Sequence, residues 1–116
     1  MAFYAVCMLD IALELAQNDI AYEDMASKFF EHFIAIVDAI NTVGGSGLWD
    51  DADGFYYDRI RFEDGKNVPL KIRSMVGLVP LFSCLVLDSA MLNKLPGFRK
   101  RLEWFLKYRQ DLASQV

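Results

Sequence analysis

Histidine occurs once in this chain of 116 residues, at position 32. A zinc site built from several histidines is therefore out of reach. Glu31-His32 also lacks the HExxH spacing of a metalloprotease helix. Cysteine occurs twice, at Cys7 and Cys84, each in an apolar context. Both are expected as reduced core residues of a cytoplasmic protein, with a disulfide between them allowed but not required. A cysteine nucleophile needs a neighbouring base, and the spacing to His32 gives no ground for one. No Asn-x-Ser/Thr acceptor occurs. The one glycine cluster, GGSG at 44–47, has neither the lysine nor the spacing of a phosphate loop. The N-terminal run MAFYAVCMLDIALELA has no basic stretch before it and is interrupted by Asp10 and Glu14. It reads as neither a signal peptide nor a membrane span. No internal repeat or low-complexity stretch is present, and no cofactor or metal is expected.

Apolar residues are plentiful, at 54% hydrophobic and 14% aromatic. That exceeds the usual content of a soluble domain. A core can form, and the surplus has two readings: a tightly packed helical protein, or a face covered by a second copy or by partner segments. The net charge of −4 is uneven. Residues 94–116 hold six basic and two acidic side chains, a net +4, which leaves −8 on the remainder. A basic tail can contact nucleic acid. Here it reads instead as the solvated face of a helix, with Phe98, Trp104, Phe105 and Tyr108 packing inward and no stacking platform for single strands. Neither a nucleic-acid nor a membrane partner is expected.

The pattern predicts a mainly α chain forming a single domain over 1–116. A first helix covers about 2–17, with one polar stripe of Asp10, Glu14 and Gln17. A second covers about 20–43, where Tyr22, Ala26, Phe29, Phe33, Ile36, Val37 and Ile40 recur at three- and four-residue steps. Asn18 and Asp19 separate the two, and Glu23 and Asp24 suit the dipole of the second. Together they make an antiparallel helical hairpin, stopped by the glycines at 44–47. An inserted β-hairpin is expected around 55–72, turning at Glu63-Asp64-Gly65-Lys66. Further helices are expected at about 75–87, with Pro80 near its first turn, and at 97–114. A short helix capped by Asp88 lies between them.

The stretch LWDDADGFYYDRIRF at 48–62 concentrates aromatic and acidic residues. As a calcium loop with Gly54 at position six, it would put Trp49 at position one and Ile60 at position twelve. Neither is an oxygen ligand, so the pattern fails. Asp50, Asp51 and Asp53 read as turn-capping residues. A sugar site needs rings that stack on apolar sugar faces beside carboxylates that hold hydroxyls. Trp49, Asp50, Tyr56, Tyr57 and Asp58 offer such a set, as do many structural hairpins.

Five blocks carry a resemblance in order along the chain: MAFYAVCMLDIALELA, YEDMASKFFEHF, GLWDDADGFYYDRIRFEDG, PLKIRSMVGLVPLF and LPGFRKRLEWFLKYRQDLA. Together they resemble an interior part of bacterial proteins related to glycoside hydrolase family 63. The resemblance implies an (α/α)6 toroid of helix pairs and the chemistry of inverting α-glucosidases, with an acid and a base on opposite sides of the bond. In such proteins the general acid lies upstream of the first block, and the general base and a Trp-Arg-Gly-Pro segment lie downstream of the last. The chain would then be a partial toroid without a catalytic residue of its own. The resemblance places Gly54–Asp58 and Arg73-Ser74 at the end of the helices that faces the sugar. Candidate substrate-binding residues are Trp49, Asp50, Tyr56, Tyr57, Asp58 and Arg73. The alternative for Asp58 and Arg73 is an ion pair that pins the hairpin to the helices.

Three functions follow as expectations. The first is a non-catalytic glycosidase-like segment carrying part of a carbohydrate pocket. The second is a homo-oligomeric helical interaction module with no sugar activity, since an isolated toroid piece must hide its faces. The third is an enzyme assembled from copies, with Asp50, Asp53 and Asp58 recruited as its carboxylates.

Overall fold

A computed structural model describes residues 1–113. Helix α1 (Ala2–Ala16) contains neither glycine nor proline and is rich in alanine and leucine, all strong helix formers. It buries Ala2, Ala5, Val6, Leu9, Ala12, Leu13 and Ala16, a stripe at three- and four-residue steps. That stripe packs along α2 (Tyr22–Thr42) more extensively than any other pair of elements. Small residues on both sides, such as Ala5, Ala12, Ala26 and Ser27, let the two helices approach closely. Between them the Asp19 carboxylate accepts the Ala21 N–H at 3.0 Å and tightens the turn. The expected helical hairpin is present.

Gly44, Gly45 and Gly47 all take positive φ and stop α2. At Gly47 a Cβ would lie 2.4 Å from the Asn41 carbonyl oxygen, so the chain can fold back over the helix end only there. Leu48 N–H then donates to the Ile40 carbonyl at 2.7 Å. Two small hairpins follow where a single one was expected. Strands β1 (Trp49–Asp50) and β2 (Phe55–Tyr56) pair Trp49 with Tyr56. Strands β3 (Asp58–Arg61) and β4 (Asn67–Leu70) pair Asp58 with Leu70 and Arg61 with Asn67. The expected turn joins the second pair, with Gly65 at φ 83°. Arg59 Nη1 donates to Ser46 Oγ at 2.7 Å and ties this hairpin to the glycine stop.

The helix expected over 75–87 does not form. Two 3-10 turns, Met75–Gly77 and Val79–Phe82, take its place. Pro80 removes a backbone donor, and Val76 and Val79 crowd a helical turn. Gly77 lies so close to the first hairpin that a Cβ would sit 2.3 Å from the Phe55 ring and 2.4 Å from the Tyr56 carbonyl oxygen. Packing of the backbone against that hairpin replaces the helix ladder.

Helix α3 (Ser89–Lys94) starts as expected at Asp88, whose carboxylate accepts the Ala90 N–H at 3.3 Å. Helix α4 (Pro96–Tyr108) has proline in its first turn. Its free N–H groups are capped from α2: Glu23 Oε1 accepts Gly97 N–H at 2.7 Å and Phe98 N–H at 2.9 Å. The last helix is broken at Arg109 (φ −121°, ψ 50°) and resumes as α5 (Gln110–Ala113). Its expected end at Ser114 lies outside the described residues.

The core is helical. Leu13, Leu95 and Phe98 are its largest fully buried side chains. Phe30 meets Phe98 and Phe105 edge to face, with ring centroids 5.9 and 5.3 Å apart. Two expectations fail here. Phe98 and Phe105 share the inner face of α4, but Trp104 and Tyr108 are 56% and 60% exposed and stack on each other outside. Around the helix Trp104 sits about 100° to 120° from those two phenylalanines and Tyr108 about 60° to 80°, so both lie off the inner face. The cysteines are not core residues either: Cys7 is half-buried, Cys84 is exposed, and both are free thiols. Cys7 lies off the inner stripe of α1, and Cys84 follows the 3-10 turns on an unburied segment. Between positions 48 and 87, Tyr57 is the one buried side chain.

Candidate functional site

The two hairpins are joined by a polar network centred on Asp53. The turn after β1 is closed by Asp50, whose Oδ1 accepts the Asp53 N–H at 3.0 Å. Spacing of three residues is what an aspartate needs to cap its own turn. Both carboxylates then face the strand leaving β4. Lys71 Nζ lies 2.8 Å from Asp50 Oδ2 and 3.2 Å from Asp53 Oδ2. Tyr57 Oη donates to Asp53 Oδ2 at 3.1 Å. Arg73 donates from Nε to Tyr57 Oη at 3.2 Å and from Nη2 to Asp53 Oδ1 at 3.3 Å. Lys71 and Arg73 follow β4, where the Ile72 N–H donates back to the Leu70 carbonyl at 2.7 Å, and both side chains reach Asp53.

Each of these charges is held in its ionised form. The hydrogen bond from Lys71 lowers the Asp50 carboxyl below its ordinary value, helped by the Asp53 N–H. Lys71, and then Tyr57, lower Asp53 in the same way. Lys71 is raised in turn by Asp50 and Asp53. Arg73 is raised by Tyr57 first and by the charge of Asp53 after it. A general acid needs the opposite shift, a carboxyl raised toward neutrality. Asp50 and Asp53 are shifted the other way and stay charged near neutral pH. Among the described residues no three His, Cys, Asp or Glu side chains come together as a metal site.

In the first hairpin, the Trp49 and Tyr56 rings meet across the strands with centroids 4.9 Å apart. Trp49 Nε1 donates to Asp51 Oδ1 at 2.9 Å, which fixes the indole. A mostly apolar cavity of about 510 Å³ is bordered by Tyr56, Tyr57 and Asp58 and by Ile36 and Ile40 of α2; Trp49 does not line it.

Of the residues singled out from the sequence, Trp49 and Tyr56 form one pair, while Asp50, Tyr57 and Arg73 belong to the network around Asp53 and Lys71. Asp58 stands on the cavity side, exposed and apart from the network. It does not pair with Arg73, which turns to Asp53 and Tyr57 instead. The sequence reading missed Asp53 as the hub and Lys71 as the bridge. The signal was there: Asp-x-x-Asp on one strand end opposite Lys-x-Arg on another places two acids and two bases face to face.

No family model matches the chain, and no solved structure matches it. A Saccharomyces cerevisiae protein, the uncharacterized protein YMR196W, is 44% identical over 128 aligned residues, covering 99% of this chain. The chain spans 12% of that relative's length. Among the described residues no helix is long and apolar enough to cross a membrane.

Proposed function

We propose that this chain is a segment of a glycoside hydrolase family 63-like helical toroid, shaping part of a carbohydrate pocket and non-catalytic by itself. The observation that carries this reading is that the same two hairpins carry the ring pair Trp49–Tyr56 and the ion-paired cluster of Asp50, Asp53, Lys71 and Arg73. Rings offer a stacking surface, and fixed charges offer acceptors and donors for hydroxyls. The depressed carboxyls favour binding over proton transfer.

Two features of the fold support the toroid part of the reading. The radius of gyration is 16.4 Å, against roughly 13 Å for a compact domain of this length. Much of the apolar surface also stays uncovered, including Phe3, Tyr4 and Ile11 on α1 and Met75, Phe82 and Val86 beyond the hairpins. Helices laid between neighbours on both sides carry such surfaces.

The test is a fluorescence titration of the chain with α-linked glucose disaccharides, in a Trp104→Phe background so that Trp49 alone reports. A saturable change near millimolar concentration is expected, lost in Trp49→Ala and weakened in Asp53→Asn. A flat titration refutes the pocket. Turnover of an α-glucoside by the pure chain refutes its non-catalytic character.

A further inference from the structure

The cavity between α2 and the hairpins differs in character from the ion-paired network. It holds about 510 Å³, within the roughly 300–1,000 Å³ usual for small-molecule sites. Ile36, Ile40, Tyr56, Leu70 and Val79 give it an apolar lining. Lys71 and Arg73 do not border it, and the Tyr57 hydroxyl is turned to Asp53. Asp58 is the one charged side chain among the described residues that border it. Asp58 pairs in register with Leu70 across the second hairpin, so the two stand on the same face of it. No ion pair or hydrogen bond holds the Asp58 carboxylate among the described residues, since Arg73 goes to Asp53 and Tyr57.

A smaller cavity of about 120 Å³ shares Ala2, Ile40, Tyr56 and Pro80 with the first. Ser83 borders it, and its Oγ is buried without a hydrogen-bond partner. A buried hydroxyl left unpaired costs stability and is rare in folded proteins. The joined space therefore has an apolar middle, a free carboxylate on one side and an unpaired hydroxyl on another.

We propose that the two cavities together bind a small amine. Its apolar body lies along Ile36, Ile40 and Val79, its ammonium head meets Asp58, and a hydroxyl at its far end bonds Ser83 Oγ. One free carboxylate selects one cation, and it repels a ligand headed by an acid. A sugar is the wrong shape of polarity for this space, because hydroxyls around its whole edge would lose water against apolar walls without gaining partners. Trp49 and the ion pairs take no part, so the inference does not depend on the carbohydrate reading.

The test is a chemical-shift titration of the full chain by NMR, following the methyl groups of Ile36, Ile40, Val76 and Val79, with octylamine as the probe. Saturable shifts confined to these methyls are expected. Octanol should bind about tenfold more weakly, and octanoate more weakly still, because a charge-assisted hydrogen bond is lost or replaced by repulsion. Asp58→Asn should cost octylamine about tenfold, while Glu63→Gln, an acid in the turn of the same hairpin, should cost nothing. Octylamine carrying a hydroxyl on its last carbon should bind about threefold tighter than octylamine, and Ser83→Ala should erase that gain without weakening octylamine itself. The spectrum of each variant shows whether it is folded. Shifts that fail to saturate, that octanoate reproduces, or that Asp58→Asn leaves unchanged overturn the proposal. A terminal hydroxyl that gains nothing overturns the contact with Ser83 and assigns that hydroxyl to water.

Discussion

The helical part and the hairpin arm of this molecule are held together by different physics. In the helices, α1, α2 and α4 interlock through Leu13, Phe30, Phe98 and Phe105, with almost no polar group inside. In the arm, residues 48–87 bury one side chain, Tyr57, at 4% exposure, and that side chain sits on ion pairs and hydrogen bonds. Apolar burial is worth several kcal/mol per large side chain. Exposed ion pairs contribute little each. The helices should therefore set the stability of the whole, and the arm should order or loosen without unfolding them. An arm of that kind suits a surface that adjusts to a ligand or a neighbour.

The sharpest break of this contrast is Phe98→Ala. Phe98 is 1% exposed and meets Phe30 edge to face. Its loss is expected to cost about 3–5 kcal/mol, read as a fall in the urea midpoint of the helical circular dichroism signal. An equal truncation in the arm, Phe82→Ala, should barely move that midpoint, since Phe82 is exposed. Comparable losses from the two would erase the distinction.

Glu23→Ala comes next. One carboxylate oxygen of α2 satisfies two N–H groups at the start of α4. Removing such a cap costs about 1–2 kcal/mol. Hydrogen exchange should rise in the first turn of α4 while the α1–α2 pair stays protected. Unchanged exchange there would mean that Phe98 packing alone holds α4.

How far the sequence discloses this design differs between the two parts for the same physical reason. The apolar spacing of α2, the glycine stop and the Asp88 cap are local patterns, and local patterns survive into the structure. The region 75–87 looks helical locally, but Gly77 answers to Phe55 and Tyr56, some twenty residues away. Trp104 and Tyr108 look like core residues by type, yet the inner face of α4 is already filled by Phe98 and Phe105. At the site, the aromatics and Asp50 stand out from their spacing. Asp53 stands out only as a turn cap or a recruited carboxylate, and its place as the hub is hidden until Lys71 and Arg73 are folded over it.

Within the arm, Tyr57→Phe separates burial from hydrogen bonding. The ring stays, and the hydroxyl that links Arg73 to Asp53 goes. A loss of about 1 kcal/mol is expected for such a bond, confined to local opening of the hairpins in hydrogen exchange, with the helical midpoint unmoved.

The smallest effect is the most specific, because it depends on sign. Asp50 and Asp53 titrate below their ordinary 3.8 when folded, chiefly through Lys71. Their contribution is therefore complete above the unfolded value and is lost as pH falls through the folded values, below about pH 4. Lys71 is shifted the other way, above 10.5. Its contribution is complete below the unfolded value and is lost as pH rises through the folded one, above about pH 10. The arm should thus be tightest between these limits and loosen on both sides, while the apolar helical core, which has no such pairs inside, holds over a wider range. Trp49 emission against pH, in the Trp104→Phe background, follows the arm, and circular dichroism follows the helices. In Lys71→Met the acid transition of Trp49 should move up toward the ordinary carboxylate value, since the cation that lowers both aspartates is gone. A transition that stays where it was would place the hold on Asp53 with Tyr57 and Arg73 instead, and would make Arg73 rather than Lys71 the residue that keeps the arm closed.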